Sequence, residues 1–221
     1  MLNINDVSKA FKQGNKVIKV LENTNLSVKD GERISILGQS GSGKSTLLTL
    51  LAGLDHPDSG SVVVNNQNLE SLNQDELSSF RAKHIGIIFQ QYHLMRHLTA
   101  VENVSIPLEL QRLDNAIEKS KTALKSVGLS DRLSHCPAQL SGGECQRVAI
   151  ARALVPEPSI ILADEPSGNL DQKTGKEIMD LIFQLCEERN QTLILVTHNN
   201  ELANECHRTL HLSGGKLIEQ E

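Results

Sequence analysis

The residues Gly38-Gln-Ser-Gly-Ser-Gly-Lys-Ser45 restrict this chain more than any other stretch. Glycine reaches backbone angles closed to other residues, so this spacing lets successive N–H groups curl toward one point. Before it, Arg33-Ile-Ser-Ile-Leu37 is a nearly continuous apolar run that reads as a buried strand. After it, Lys44 to Ala52 reads as a buried helix ended by Gly53. Strand, glycine loop and helix in that order fit G-x-x-x-x-G-K-[ST], a cradle for linked phosphates to which the helix N-terminus adds partial positive charge. Gly38, Ser40, Gly41, Ser42, Gly43, Lys44, Ser45 and Thr46 are the expected ATP contacts, with Lys44 reaching the terminal phosphates and Ser45 ligating Mg²⁺.

Two further apolar runs, Ser159 to Ala163 and Thr192 to Val196, are too continuous for half-exposed antiparallel strands. Between them Ile178, Met179, Ile182 and Leu185 recur at helical spacing. Alternating buried strands and amphipathic helices predict an α/β fold with a mostly parallel core sheet, whose ligand site lies at the carboxyl ends of the strands. The first 30 residues and Gly60 to Leu69 read as hairpin strands of a small antiparallel layer. From about Val101 to Ala153 the pattern is helical, with Ala116 to Val127 a helix closed by Gly128. The expected organisation is one domain over residues 1–221, with a core of about 1–90 and 154–221 and an inserted helical lobe of about 91–153.

Asp164 and Glu165 end one apolar strand, where a pair of carboxylates is costly unless a cation neutralises them. Mg²⁺ would do so: Asp164 holds it, directly or through water, while Glu165 orients and deprotonates the water attacking the γ-phosphate. A plainer alternative is a turn or cap for a helix after Pro166. His198 ends the next strand, where an imidazole can hydrogen-bond the γ-phosphate; alone, it would be an ordinary loop histidine.

Leu140-Ser-Gly-Gly-Glu144 opens a second helical run, Cys145 to Leu154, and puts small residues and free N–H groups at another helix start. One ATP does not need two such cradles in one subunit. The economical reading is that Ser141, Gly142, Gly143 and Glu144 cap ATP bound to a second copy, giving a head-to-tail homodimer around two nucleotides. The alternative is a serine cap followed by a glycine turn.

Taken in order, the loop Gly38 to Ser45, Gln90, Leu140-Ser-Gly-Gly-Glu144, Ile160-Ile-Leu-Ala-Asp-Glu165, Asn169-Leu-Asp171 and His198 resemble the ATP-binding cassette of ABC transporters along nearly the whole chain. That resemblance implies the ABC nucleotide-binding form of the P-loop NTPase fold. It also implies that Gln90 touches Mg²⁺ and a membrane partner, that Asp171 closes the dimer loop, and that Phe11 stacks on adenine. A core position is the alternative for Phe11.

The segments Phe89 to Val104, Pro137 to Gly143 and Ala163 to Asp171 are similar to the MacB, LolD and YbbA group. In that group ATP-powered dimer closure moves a separate integral membrane permease, of the MacB, LolC-E or YbbP type, acting on lipoproteins, hydrophobic compounds or exported peptides. Tyr92, Leu94 and Met95 are candidate permease contacts, though a core role fits them as well. Two residues depart from the group: Cys145 stands where Gln is usual, and Asn199 where Asp is usual.

Composition narrows the remaining choices. A net charge of −5 and 2% aromatic residues supply neither the cations nor the stacking surfaces of a nucleic-acid binder. The ABC-fold proteins of DNA repair or ribosome work, which interrupt or duplicate the cassette, fit this single uninterrupted one poorly. A non-hydrolysing sensor is disfavoured because Lys44, Asp164, Glu165 and His198 are all present. No apolar stretch approaches the ~20 residues of a membrane span and no signal pattern opens the chain, so the expected location is cytoplasmic, peripheral on the inner face of the cell membrane. Four cysteines at irregular spacing suit reduced thiols better than zinc or disulfides.

Overall fold

The computed structural model describes residues 1–14 and 16–219. Along the chain run β1 (Leu2–Gln13), β2 (Lys16–Val28), β3 (Arg33–Leu37), α1 (Lys44–Leu51), β4 (Ser59–Val64), β5 (Gln67–Asn68), α2 (Gln74–His84) and β6 (Ile85–Phe89). Then follow α3 (Ala100–Leu110), α4 (Ala116–Ser126), α5 (Gly142–Leu154), β7 (Ile160–Asp164), α6 (Gln172–Glu188), β8 (Thr192–Thr197), α7 (Asn200–Asn204), β9 (Arg208–Ser213) and β10 (Lys216–Glu219). These elements gather into two compact units, Met1–Arg81 with Thr192–Glu221, and Ala82–Gln191.

In the first unit β2, β1, β4 and β5 form the expected antiparallel sheet, in that order. Leu2, Ile4 and Val7 are its buried residues on β1; their spacing skips a step because Asp6 adopts a left-handed φ of 48° and bulges the strand. Asn25 secures the bulge by accepting from the Asp6 N–H and donating to its carboxylate, both at 2.9 Å. Opposite, a Cβ on Gly60 would lie 2.5 Å from the Asn5 and Asp6 carbonyl oxygens, so only glycine fits there.

β3 runs parallel to β8 on one side and β9 on the other, while β9 and β10 make an antiparallel hairpin. Ile34, Ile36 and Leu37 of β3 and Leu193 to Val196 of β8 are all buried, which is what a strand covered on both faces requires. Each such side chain contributes about 1.5–3 kcal/mol by leaving water.

The second unit is built on β6 paired in parallel with β7. Here α6 buries Ile178, Met179, Ile182 and Leu185, the four residues whose spacing predicted it. α3 starts at a capping box in which Thr99 Oγ1 accepts from the Glu102 N–H and the Glu102 carboxylate accepts from the Thr99 N–H. α4 ends at Val127 and Gly128, the latter at φ 77°. Among the described residues no helix is long and apolar enough to cross a membrane.

Replacing Ile34 by Ala should cost about 2–5 kcal/mol, since a fully buried strand position cannot collapse around the cavity. Ile218→Ala, at a site 59% exposed, should stay within about 0.5 kcal/mol. Urea unfolding midpoints of the two variants check both; equal losses would mean that β3 is not the core strand described.

Candidate active site

Pairing register fixes what leaves the strand ends together. Leu37 of β3 is the partner of Thr197 of β8, so Gly38 and His198 emerge at one level in the first unit. Phe89 of β6 is likewise the partner of Asp164 of β7, so Gln90 and Glu165 emerge at one level in the second.

The glycine loop hugs its own unit. A Cβ on Gly38 would meet Ser42 Oγ at 2.5 Å and the Leu212 carbonyl at 2.9 Å. One on Gly43, which sits at φ 102°, would meet Val20 Cγ1 at 2.6 Å. Lys44 is only 7% exposed, and its ammonium donates to the carbonyls of Gly38 at 2.8 Å and Gln39 at 3.1 Å. Ser45 is exposed at the start of α1, Ser40 and Gly41 lie on the exposed rim of the loop, and Thr46 is half-buried. Ser42 Oγ is a buried hydroxyl without a hydrogen-bond partner among the described residues.

α1 begins at Gly43 with no side-chain cap and no acidic residue in its first turn. α3, α5 and α6 all have capping side chains. An uncapped helix start beside a buried ammonium is a site of concentrated positive potential, which fits phosphate.

Phe11 is 44% exposed and faces Ile18, 45% exposed, across the β1–β2 pair, which corrects the alternative that it belongs to the core. Lys9 Nζ stands 5.5 Å from its ring centroid. The same hairpin carries Val20 against Gly43, so the exposed apolar pair belongs to the strands that touch the phosphate loop.

In the second unit Glu165 adopts φ 44°, a left-handed conformation costly for a residue with a long side chain. The turn it opens closes through the Gly168 N–H donating to the Glu165 carbonyl at 3.0 Å. Asp171 then caps α6, accepting from the Thr174 N–H at 3.1 Å, and that contact holds its carboxyl below the usual range. Ser141 caps α5 and accepts from the Glu144 N–H at 3.2 Å.

Glu144, expected among the nucleotide contacts, turns its carboxylate back to the Ser141 N–H at 2.8 Å and to Arg132 at 2.9 Å. Those partners depress its carboxyl, so the box contributes above the unfolded carboxyl value and is lost as pH falls through the lower folded one. The N–H groups of Gly142 and Gly143, in the first helical turn, have no intrahelical acceptor. A Cβ on Gly142 would lie 2.9 Å from the Tyr92 hydroxyl, and one on Gly143 would lie 2.7 Å from Thr174 Cγ2. Tyr92, expected at a permease contact, is half-buried with its hydroxyl beside this loop, and Met95 is 56% exposed.

Both departures from the group pattern have local explanations. Asn199 caps α7, accepting from the Glu201 and Leu202 N–H groups, which an Asp would do equally. The Cys145 thiol is buried, lies 3.6 Å from the Pro137 carbonyl, and burial pushes its pKa up, opposing any activation by the helix start.

Residues passed over by the motifs also act here. Arg152 donates to the backbone carbonyls of His93 at 2.6 Å and Tyr92 at 2.8 Å, and fully buried Gln146 reaches that of Phe89. Both are on α5, so the helix that starts at Ser141 also holds the chain on either side of Gln90. The polar residues facing an otherwise apolar helix were the available signal.

A profile of the ABC transporter family matches residues 21–168. The ABC transporter ATP-binding protein YbbA of Escherichia coli (strain K12) is 45% identical over 222 residues, covering 100% of this chain and 97% of its own. The lipoprotein-releasing system ATP-binding protein LolD of Legionella pneumophila (strain Lens) is 45% identical over 215 residues, 96% of this chain and 95% of its own. Among solved structures, a dimeric post-hydrolysis state of the ATP-binding cassette MJ0796 with ADP and Pi matches with a TM-score of 0.92 at 41% identity. That match covers 100% of this chain and 98% of the cassette. The phosphate loop thus lies within a likeness that extends from end to end: the chain belongs to the ABC transporter family and is an ATP-binding, ATP-hydrolysing subunit similar to YbbA and LolD.

Proposed function

We propose that the subunit works as a head-to-tail homodimer that closes on two MgATP and thereby drives a separate inner-membrane permease of the MacB, LolC-E or YbbP type. The observation that carries this reading is the buried Lys44 ammonium at the uncapped start of α1, which donates to two carbonyls of the phosphate loop. The dimer of MJ0796 and the lipoprotein-releasing role in the name of LolD support the rest. The cargo class would be lipoproteins, hydrophobic compounds or exported peptides. The whole chain then acts as one ABC ATPase domain with residues 91–153 as its helical lobe, peripheral on the inner face of the membrane.

On nucleotide entry Lys44 exchanges the Gly38 and Gln39 carbonyls for phosphate oxygens, which are stronger acceptors because they are charged. The N–H groups from Gly41 to Thr46 take the remaining oxygens, and Phe11 covers the base. The donor set of hydroxyl, carboxylate and amide oxygen on Ser45, Asp164 and Gln90 suits a hard cation, and Mg²⁺ held there would spread the charge of the terminal phosphates. Glu165, fixed by its left-handed turn, accepts the proton of the attacking water, and His198 hydrogen-bonds the γ-phosphate. Ser141, Gly142 and Gly143 supply hydroxyl and N–H donors to the nucleotide of the other copy, with Asp171 at the dimer contact.

Glu165→Gln should retain ATP binding and lose about 10²–10⁴ in hydrolysis rate, because only the base is removed. The ATP-bound dimer should then accumulate, while the native subunit reverts to monomer once ATP is spent. Size-exclusion chromatography with and without MgATP, beside phosphate release, measures both, with Ser141→Arg in the Glu165→Gln background blocking the sandwich. Hydrolysis at the native rate would remove Glu165 from the role. A variant that stays monomeric with MgATP and permease present would remove the shared site.

The permease contact makes a separate forecast, centred on exposed Met95 and half-buried Leu94. Changing both to Asp should abolish co-purification with the permease while nucleotide affinity stays within about twofold, since neither is among the expected nucleotide contacts. Retained complex would place the contact elsewhere.

A further inference from the structure

Gln90 is gripped by the turn that follows Glu165. Its side-chain Nε2 donates to Asn169 Oδ1 at 3.2 Å, and its backbone carbonyl accepts from Asn169 Nδ2 at 3.0 Å. Gly168 makes room for this ring, since a Cβ there would lie 2.8 Å from Gln90 Nε2. An amide side chain has one donating and one accepting end, and a backbone carbonyl can only accept. The Gln90 carbonyl therefore forces the NH₂ of Asn169 toward itself, which leaves Oδ1 facing the Gln90 side chain. Of the two ends of the Gln90 amide, Oδ1 can bond only the NH₂. The carbonyl end of Gln90, Oε1, is thereby turned away from Asn169.

We infer that Asn169 is a positioning residue: it fixes the amide polarity of Gln90 so that an oxygen, and not an NH₂, is offered to a divalent cation at the nucleotide. This rests on the proposed contact of Gln90 with Mg²⁺. Either amide orientation would fill the same space, yet only one can ligate a cation, because the NH₂ of an amide has no lone pair to give. Metal ligands are held by hydrogen-bond partners of this kind, and losing one weakens metal binding without touching the ligand. The same link ties the water-activating turn to the strand end after β6: the Gly168 N–H is bonded to the Glu165 carbonyl, and the next residue holds Gln90.

The full-length subunit in the Glu165→Gln background provides the test, with AMP-PNP as nucleotide and Mn²⁺ as the cation. The readout is the factor by which Mn²⁺ tightens AMP-PNP binding over its affinity in EDTA, which needs no turnover. Asn169→Leu keeps the branching and heavy-atom count but neither hydrogen bond, and should reduce that factor by about tenfold while the metal-free affinity stays unchanged. Gln90→Ala should reduce it comparably, and the double variant should lose no more than Gln90→Ala alone.

Gln90→Glu supplies the decisive background. A carboxylate has two equivalent acceptor oxygens and no polarity to set, and Asn169 Oδ1 opposes it. Adding Asn169→Leu there should leave the factor unchanged or raise it, opposite to its effect beside glutamine. An equal loss in both backgrounds would make Asn169 a mere backbone clamp and overturn the inference, as would no loss beside glutamine when Gln90→Ala does lose. If Gln90→Ala itself leaves the factor intact, the metal contact of Gln90 falls first, and the two failures are distinguishable. Thermal melts within a few degrees of one another exclude unfolding as the cause.

Discussion

Two parallel strand pairs, each held in register to its last residue, set the chemistry of this subunit. When Leu37 pairs with Thr197 and Phe89 with Asp164, the chain segments that follow must start from common levels. The phosphate loop and His198 are neighbours for that reason, as are Gln90 and Glu165. A one-residue slip in either pair would send every side chain to the opposite face; both faces are covered, so Ile34 and Ile36 or Ile161 and Ala163 would stay buried but be pressed into packing shaped for other residues. The core therefore enforces the positions of the functional residues, and apolar burial becomes precision at the site.

Helix starts carry the second layer of meaning. Thr99, Ser141 and Asp171 each satisfy first-turn N–H groups of their own helix, and two of them recruit a glutamate that adds negative charge. α1 has neither device, because Gly43 has no side chain to turn back and no acid follows. Its first turn is thus left for an external anion. At Ser141 the outcome is mixed: the serine and Glu144 close a capping box, yet two glycines keep backbone donors at the surface of the loop. Such a loop is weakly anion-seeking alone, consistent with contributing to a site completed by a second copy.

The sequence announced what rests on strong local physics. The phosphate loop, β3, β7, β8 and α6 were legible because fully buried strands read as unbroken apolar runs and α6 repeats its apolar residues at helical spacing. β6 was not, since Gly86 breaks its run; the glycine is needed because a Cβ would press to 2.5 Å from the Ala153 carbonyl. The five-residue α7 and the β9–β10 hairpin, with exposed Ile218 at one edge, are too short or too polar for periodicity to mark. Phe11 could have been core or platform by sequence; its exposure beside Ile18 removes the core reading and leaves the adenine contact as a proposal. The Asn169 grip on Gln90 was illegible for another reason: it joins residues 79 positions apart through an amide polarity that no local pattern encodes.

Substitution tolerance follows from what each group touches. Asn199 replaces an acid at a helix cap, where an amide oxygen accepts the same two N–H bonds, so the change leaves α7 and the strand end before it in place. Cys145 sits one residue past the capping box, among Pro137 and the Ser141 loop, where a small buried thiol fills space and its raised pKa keeps it protonated. A side chain at Gly142 or Gly143 would require Tyr92 or Thr174 to shift, whereas at Gly38, Gly60 and Gly86 it would meet backbone carbonyls that cannot give as readily. Constraint in this chain thus tracks close backbone approach and hydrogen-bond polarity more closely than distance from the phosphates.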